Sequence, residues 1–191
     1  MDKVTNILMV GVGGQGILLS SNILSSAALR DGFDVKKSEI HGMSQRGGSV
    51  FSHIRFGSIV YSPVISRRQA DIILALEEME VLRWIDYASE DCKIIFSRER
   101  ILPAGTTSYP EGVEDEIRRL CPNVYPVCPD ELKKKIENVK TLNVALLGIL
   151  SDFVSISDAS WQSAIKEFVP AATLESNLKA FQAGRNIISE K

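Results

Sequence analysis

The chain has 191 residues, 45% of them hydrophobic and 24% charged, which suits one domain with a buried core and excludes a disordered or fibrous protein. Its 22 Lys and Arg against 24 Asp and Glu give a formal net charge of -2, without the basic stripe that nucleic-acid binding requires. No apolar run reaches the roughly 20 residues that cross a bilayer, and no signal-peptide pattern opens the sequence, so we expect a cytoplasmic protein without membrane contact.

The N-terminal residues predict a strand, a glycine turn, a helix and a second strand. The apolar run Asn6–Val10 predicts the first strand, and apolar residues at helical spacing predict a helix over Ile17–Arg30. Gly32 lies where a left-handed residue ends a helix, and a more polar strand follows over Phe33–Ile40. The simplest arrangement is a βαβ unit.

A β-hairpin is expected next. Ser49–Phe56 alternates apolar and polar residues, and Gly57-Ser58 separates it from the short run Ile59–Tyr61. Gly at the first turn position favours a type II′ turn. This segment is therefore predicted to form two paired strands.

Strands and helices then alternate to the end of the chain. The continuous apolar run Ala70–Leu76 predicts a buried parallel strand, and Glu77–Tyr87 a helix after it. The remaining elements are a strand over 93–96, a helix over 112–120, a strand over 123–127, and helices over 129–136, 141–153, 158–168 and 173–187. This alternation predicts an α/β, Rossmann-like three-layer sandwich with a mainly parallel sheet and the inserted β-hairpin, in one domain over 1–191. The apolar helix 141–153 belongs either to the core or to a contact with another subunit.

The turn between the first strand and the first helix has the spacing of a phosphate-binding loop. Its motif is Gly11-Val-Gly13-Gly14-Gln15-Gly16. Glycines allow the backbone to approach a ligand closely, and the amides at a helix N-terminus attract anions. The alternative is a tight turn without a ligand. In a nicotinamide enzyme a carboxylate near the end of the second strand would bind the ribose, and Glu39 is the candidate for that role.

A second glycine-rich segment, His41–Gly48, joins the second strand to the hairpin. It contains Ser44, Gln45, Arg46 and Gly47. Such a loop can offer backbone amides and a guanidinium group to an anion. It begins at the carboxyl edge of the sheet, where ligands of open α/β sheets bind. The alternative is a structural loop with Arg46 in water.

Taken together, the two motifs in this order resemble those of the gamma-type component of the 2-oxoacid:ferredoxin oxidoreductases. The resemblance covers nearly the whole chain, includes Asn143 and its apolar helix, and is strongest to the enzymes of that family that act on aryl pyruvates such as indolepyruvate. It implies a single gamma-type catalytic domain in a heteromeric complex. It also implies that Gly11, Gly13, Gly14, Gln15, Gly16, Ser44, Gln45, Arg46 and Gly47 face a larger subunit and the coenzyme A side of the site.

In that family thiamine diphosphate decarboxylates the oxoacid, iron–sulfur clusters pass electrons to ferredoxin, and coenzyme A accepts the acyl group. The resemblance implies that thiamine diphosphate, Mg and the clusters lie on larger partner subunits, that this chain alone is inactive, and that coenzyme A is the co-substrate. The cysteine content agrees, because Cys92, Cys121 and Cys128 cannot supply the four thiolates of a cluster. No catalytic residue and no metal ligand is assigned to this chain.

The remaining polar candidates have simpler interpretations. The two histidines, His41 and His53, are expected at the surface or facing a partner, because no carboxylate cluster accompanies them. Glu77-Glu78, Lys133–Lys135 and Arg67-Arg68 are expected in water. Cys121 and Cys128 are expected to be small buried thiols, and Trp84 and Trp161 to pack in the core or at an interface.

Three other functions compete with the oxidoreductase subunit. A stand-alone dinucleotide-binding oxidoreductase would use Gly11, Gly13, Gly16 and Glu39. An adenylating enzyme also has a GxGGxG turn, although the zinc-binding CxxC motifs common in that class are absent. A pure scaffold would use the glycine loops only for protein contacts.

Overall fold

The computed structural model describes residues 4–41, 48–102, 105–136 and 138–189, which form a six-stranded sheet with helices on both faces. The strands are β1 (Thr5–Val12), β2 (Asp34–His41), β3 (Ser49–Gly57), β4 (Ala70–Ala75), β5 (Ala88–Ser97) and β6 (Asn123–Val127). The helices are α1 (Ile17–Arg30), α2 (Glu78–Trp84), α3 (Val113–Leu120), α4 (Pro129–Lys135), α5 (Leu142–Ser151), α6 (Asp158–Phe168) and α7 (Leu174–Ser189).

The sheet is mostly parallel, which confirms the predicted fold class. Its order is β2-β3-β1-β4-β5-β6. Strands β1, β4, β5 and β6 run parallel, while β3 is antiparallel to both of its neighbours. The run Ile7–Val10 in β1 is fully buried because helices cover both faces of the central strands.

The helices form two layers on either side of the sheet. One core lies between the sheet and α1, α4, α5, α6 and α7, and a second lies between the sheet and α2 and α3. All residues of α5 are buried, and a Cβ on Gly148 or Gly184 would overlap the backbone of α7 or α5, respectively. The apolar helix therefore belongs to the core of this chain. Among the described residues, no helix is long and apolar enough to cross a membrane.

The second strand of the predicted hairpin does not form. Residues 59–61 form no strand, and Gly57 does not have the positive φ of a type II′ turn. A hairpin is present, but it consists of β2 and β3, joined by the second glycine-rich segment. Strand β3 is hydrogen-bonded to β1 on one side and to β2 on the other. Residues Ile59–Tyr61 therefore cannot pair with it.

The predicted βαβ unit is also rearranged. Strands β1 and β2 are parallel, but β3 lies between them in the sheet. Other deviations are small: the predicted helix 77–87 is α2 followed by a 3-10 turn over Ile85–Tyr87, and β5 extends the predicted strand 93–96 at both ends. Helix α1 has the predicted bounds, and Gly32 follows it with a φ of 86°.

Candidate functional site

The glycine turn connects the end of β1 to the start of α1, as predicted. Gly14 and Gly16 have φ angles of 98° and 87°, in the left-handed region that favours glycine. Gly16 is the N-cap of α1, so the turn leads directly to the positive end of a 14-residue helix.

Gly11 and Gly16 also lie close to neighbouring side chains. A Cβ on Gly11 would lie 2.9 Å from the Gln15 Oε1 atom, and one on Gly16 would lie 2.5 Å from the Asn143 Nδ2 atom. Asn143 is 5% exposed, and its Nδ2 donates to the Gly16 carbonyl oxygen at 3.3 Å. Around Gly14, in contrast, a Cβ would meet no atom of the described residues within 4 Å.

The Gln15 side chain points into the protein and holds the turn in place. Its Oε1 accepts from the Val12 amide at 2.7 Å, and its Nε2 donates to the Leu76 carbonyl oxygen at 2.9 Å and to the Glu99 carboxylate at 3.2 Å. These bonds tie the turn to the ends of β1 and β4 and to the segment after β5. Gln15 is therefore a positioning residue for the turn in this structure.

The turn leaves several backbone amides available. The Gly13 amide donates to the Gly48 carbonyl oxygen at 2.9 Å, and the Gln15 amide to the Val12 carbonyl oxygen at 3.1 Å. The amides of Gly14, Gly16 and Ile17 have no hydrogen-bond partner in the described parts of the chain. Unpaired amides at a helix N-terminus can bind an anion.

The second glycine-rich segment starts and ends beside this turn. Ser44, Gln45, Arg46 and Gly47 lie outside the described residues, so their predicted contacts stay predictions. The flanking strands nevertheless fix both ends of the segment, because His41 pairs with Val50 and Val12 pairs with Ser49. Together with the Gly13–Gly48 hydrogen bond, this register brings the two motifs together at the carboxyl edge of the sheet.

A set of buried glutamates at the same edge was not predicted. Glu77 and Glu78 were expected in water, but they are 1% and 0% exposed, and Glu80 is buried beside them. The prediction for Glu77 and Glu78 was wrong because Arg100, Ile101 and Tyr109, which bind their carboxylates, come from distant parts of the chain. The partners are Tyr109 and the amides of Glu80 and Ile101 for Glu77, Arg100 for Glu78, and Arg83 and Ser49 for Glu80.

These bonds have electrostatic consequences. The Arg100 guanidinium lies 2.6 Å from Glu78, and this ion pair raises the pKa of Arg100 above its usual range. Burial, followed by the hydrogen bond to Glu77, raises the pKa of Tyr109, so the hydroxyl stays protonated and donates to the carboxylate at 2.6 Å. The three carboxylates are thus all hydrogen-bonded by groups of this chain, and none of them accepts from the amides of Gly14, Gly16 or Ile17.

Glu39 does not have the surroundings of a ribose-binding carboxylate. It accepts from the Ser21 hydroxyl at 2.8 Å and forms an ion pair with Lys37 at 2.7 Å. In addition, β3 separates β2 from β1 and so moves Glu39 away from the glycine turn. The stand-alone dinucleotide-binding alternative is not favoured.

His53 is buried, contrary to expectation. Its Nδ1 accepts from the Ile65 amide at 3.1 Å, and burial lowers the pKa of the imidazole below its usual value of 6.5. The error arose because β3 lies inside the sheet and not in a peripheral hairpin.

The other candidates follow the sequence except Cys128, which was expected to be buried and is exposed in part because it lies at the end of β6, before α4. Trp161 and Cys121 are buried, Cys128 and Trp84 are half-buried, and Arg67 and Arg68 are exposed. In the described ranges, no group of three or more His, Cys, Asp or Glu side chains could hold a metal ion. Burial raises the pKa of the Cys92 thiol to about 12, so this thiol stays protonated at neutral pH.

Comparison with known proteins decides the family. Residues 6–187 match the family model described as pyruvate ferredoxin/flavodoxin oxidoreductase. The chain belongs to this family. Among its relatives, the indolepyruvate oxidoreductase subunit IorB of Archaeoglobus fulgidus is 39% identical over 95% of this chain and 94% of its own length. The IorB subunit of Pyrococcus horikoshii is 38% identical over 95% of both chains. The chain is a subunit of an oxidoreductase of this family.

Solved structures of the family show the same fold. The gamma subunit of a keto/oxoacid ferredoxin oxidoreductase from Geobacter sulfurreducens has a TM-score of 0.73 at 23% identity and aligns over 96% of this chain and 95% of its own. A 2-oxoglutarate:ferredoxin oxidoreductase from Magnetococcus marinus has a TM-score of 0.76 at 19% identity. The alignment covers this whole chain but only 32% of that one, so the fold is one part of a longer polypeptide there.

Proposed function

We propose that this chain is the small subunit of an enzyme that oxidatively decarboxylates an aryl pyruvate, such as indolepyruvate, to an acyl-coenzyme A and CO2 while reducing ferredoxin. Four relatives between 31% and 39% identical are named indolepyruvate oxidoreductase subunits, and they align over at least 94% of their own lengths. Relatives named 2-oxoglutarate synthase subunits are more distant, at 27–29% identity. This difference supports the aryl substrate.

The redox cofactors are assigned to the partner subunits. The sequence has three cysteines, too few for a four-cysteine cluster, and the described residues contain no metal-ligand group. Thiamine diphosphate, its Mg ion and the iron–sulfur clusters then belong to larger subunits of the complex, and the isolated chain is inactive. No redox step is assigned to a residue of this chain.

The glycine turn and the second glycine-rich segment would bind coenzyme A through a phosphate group. The observation that carries this role is the Gly13–Gly48 hydrogen bond. It joins the two motifs beside the amides of Gly14, Gly16 and Ile17, which have no hydrogen-bond partner among the described residues. Arg46, within the second segment, would supply a positive charge to the same anion. Gly11 and Gln15 would shape the turn, while Ser44, Gln45 and Gly47 would line the ligand with Arg46.

A titration of the assembled enzyme with coenzyme A tests this role. Removal of one charged hydrogen bond in Arg46→Ala should raise the KM for coenzyme A roughly tenfold, and Gly14→Ala should raise it by a smaller factor. The KM for the oxoacid should not change. Gly32→Ala is the matched control, because Gly32 has a φ of 86°, open space around it and a position at the far end of α1. An unchanged KM for coenzyme A in both variants would exclude the role.

A further inference from the structure

Asn143 is a polar residue in an apolar helix, and one of its two polar atoms has no partner. All residues of α5 are buried, and those other than Asn143 and Ser151 are apolar. The Asn143 Oδ1 atom is buried and accepts no hydrogen bond from the described residues. An acceptor buried in this way is destabilising, because its hydrogen bonds to water are lost and not replaced. A role at the glycine turn therefore explains Asn143 better than the stability of α5 does.

The other polar atom of Asn143 binds the peptide unit between Gly16 and Ile17. The Gly16 carbonyl oxygen accepts from the Ser20 amide at 3.0 Å and from Asn143 Nδ2 at 3.3 Å. Since this peptide bond is planar and trans, the direction of the carbonyl group fixes that of the Ile17 N–H group, which points the opposite way. Asn143 thus helps to orient an amide that has no hydrogen-bond partner in the described parts of the chain.

The N-terminus of α1 carries no side-chain cap. Gly16 is the N-cap residue, and no side chain accepts from the amides of the first turn there. A serine, threonine or aspartate at an N-cap would occupy one of these amides. In addition, a hydrogen bond accepted by a carbonyl group polarises its peptide unit, so the N–H group of that unit becomes a stronger donor. The bond from Asn143 therefore both orients the Ile17 amide and strengthens it as a donor to an anion.

We propose that Asn143 is a positioning residue for anion binding at the glycine turn, an inference that rests on the proposed function. Its Nδ2 atom holds the Gly16–Ile17 peptide unit so that the Ile17 amide donates to a phosphate group of coenzyme A. The side chain acts through this peptide unit, and no contact with the phosphate is assigned to it.

Asn143→Leu in the assembled enzyme tests this role. Leucine has as many side-chain heavy atoms as asparagine but neither donates nor accepts hydrogen bonds. The KM for coenzyme A should rise about fivefold, the effect of one neutral hydrogen bond, while kcat and the KM for the oxoacid stay unchanged. The urea midpoint of the full chain should not fall, because the unpaired Oδ1 is removed and the Gly16 oxygen keeps its bond from Ser20.

Ser151→Ala is the matched control. It removes the other polar side chain of α5, eight residues and about 12 Å farther along the helix, where the Ser151 hydroxyl donates to the Gly148 carbonyl oxygen at 2.6 Å. Both KM values should stay unchanged in this variant. A rise in the KM for coenzyme A equal to that of Asn143→Leu would exclude the positioning role.

The contrary outcomes for Asn143→Leu separate this role from the proposed function. If the KM for coenzyme A is unchanged in Asn143→Leu but raised in Gly14→Ala, the role of Asn143 is wrong and coenzyme A binding at the turn stands. A rise in both KM values, or a lower urea midpoint, would make Asn143 a structural residue and exclude the positioning role. If Asn143→Leu, Gly14→Ala and Arg46→Ala all leave the KM for coenzyme A unchanged, both proposals for the turn fail.

Discussion

At both ends of the strands, hydrogen bonds hold a connecting segment in place, but the two segments expose different groups to solvent. At the carboxyl edge, Gln15 and the Gly13–Gly48 hydrogen bond fix a turn that leaves backbone amides unpaired within the described chain. At the amino edge, Arg55, Asp34 and His53 fix a loop that exposes apolar side chains. Polar amides suit a small anionic ligand, whereas a rigid apolar loop suits a protein surface. The comparison separates an edge with exposed backbone amides, for which we propose anion binding, from an edge with exposed apolar side chains.

The largest expected loss of stability comes from a substitution at the carboxyl edge. Gln15→Ala removes the hydrogen bonds to the Val12 amide, the Leu76 carbonyl oxygen and Glu99, and should lower the free energy of unfolding by about 2–4 kcal/mol. Urea denaturation measures the loss. Gln15→Glu keeps the acceptor for Val12 without the donors, so it should also be destabilised. A loss below about 0.5 kcal/mol would show that the turn does not depend on Gln15.

Two glycines of the turn should differ from each other. Gly14→Ala introduces only backbone strain, at a cost of about 1–2 kcal/mol, because its surroundings are open. Gly16→Ala adds a collision with Asn143 Nδ2 and displaces the amide that donates to the Gly16 carbonyl oxygen. It should therefore cost about 1 kcal/mol more. Equal losses in denaturant unfolding would contradict the contact with Asn143.

At the amino edge, Arg55→Ala should loosen residues 58–66, which follow β3, without affecting the glycine turn. The variant loses the bonds to Asn6 and to the Ser62 carbonyl oxygen, at a cost of about 1–2 kcal/mol. Hydrogen exchange should then rise at residues 58–66 and stay unchanged at residues 13–17. Exchange that rises equally at both edges would mean that they are not independent.

The smallest effect is a pH dependence from His53. Burial lowers the pKa of its imidazole below 6.5, so the unfolded chain binds more protons than the native one as the pH falls through that value. Stability should be full above pH 6.5 and decline below it. His53→Gln provides an oxygen that can accept from the Ile65 amide and does not titrate. The difference between the two stability curves, measured from pH 5 to 7.5, isolates this contribution, and parallel curves would contradict it.

The sequence predicts the local features of the glycine turn well, because they depend on neighbouring residues. Spacing alone places the turn before α1 and predicts the bounds of that helix. The insertion of β3 between β1 and β2 depends on pairing between distant segments, which alternation does not reveal. For the same reason Glu78 was expected in water, since its partner Arg100 is 22 residues away.

The contact of Asn143 shows a second kind of feature that the sequence does not predict. It is the only amide side chain in a helix whose other residues, except Ser151, are apolar, and that contrast could have marked it as a contact for the turn. Its partner, the Gly16 carbonyl oxygen, is 127 residues away and follows only from the packing of α5 against α1. The contacts of residues 42–47 stay predictions, because that segment lies outside the described residues.

The most direct test of the central claim is an anaerobic affinity purification of the tagged chain from its native extract. The eluate is assayed for coenzyme A-dependent reduction of a viologen dye with indolepyruvate, phenylpyruvate, pyruvate and 2-oxoglutarate. We predict that larger iron–sulfur subunits copurify and that the aryl pyruvates give the highest activity. A chain that elutes alone, has no such activity and binds NAD or ATP would contradict the account.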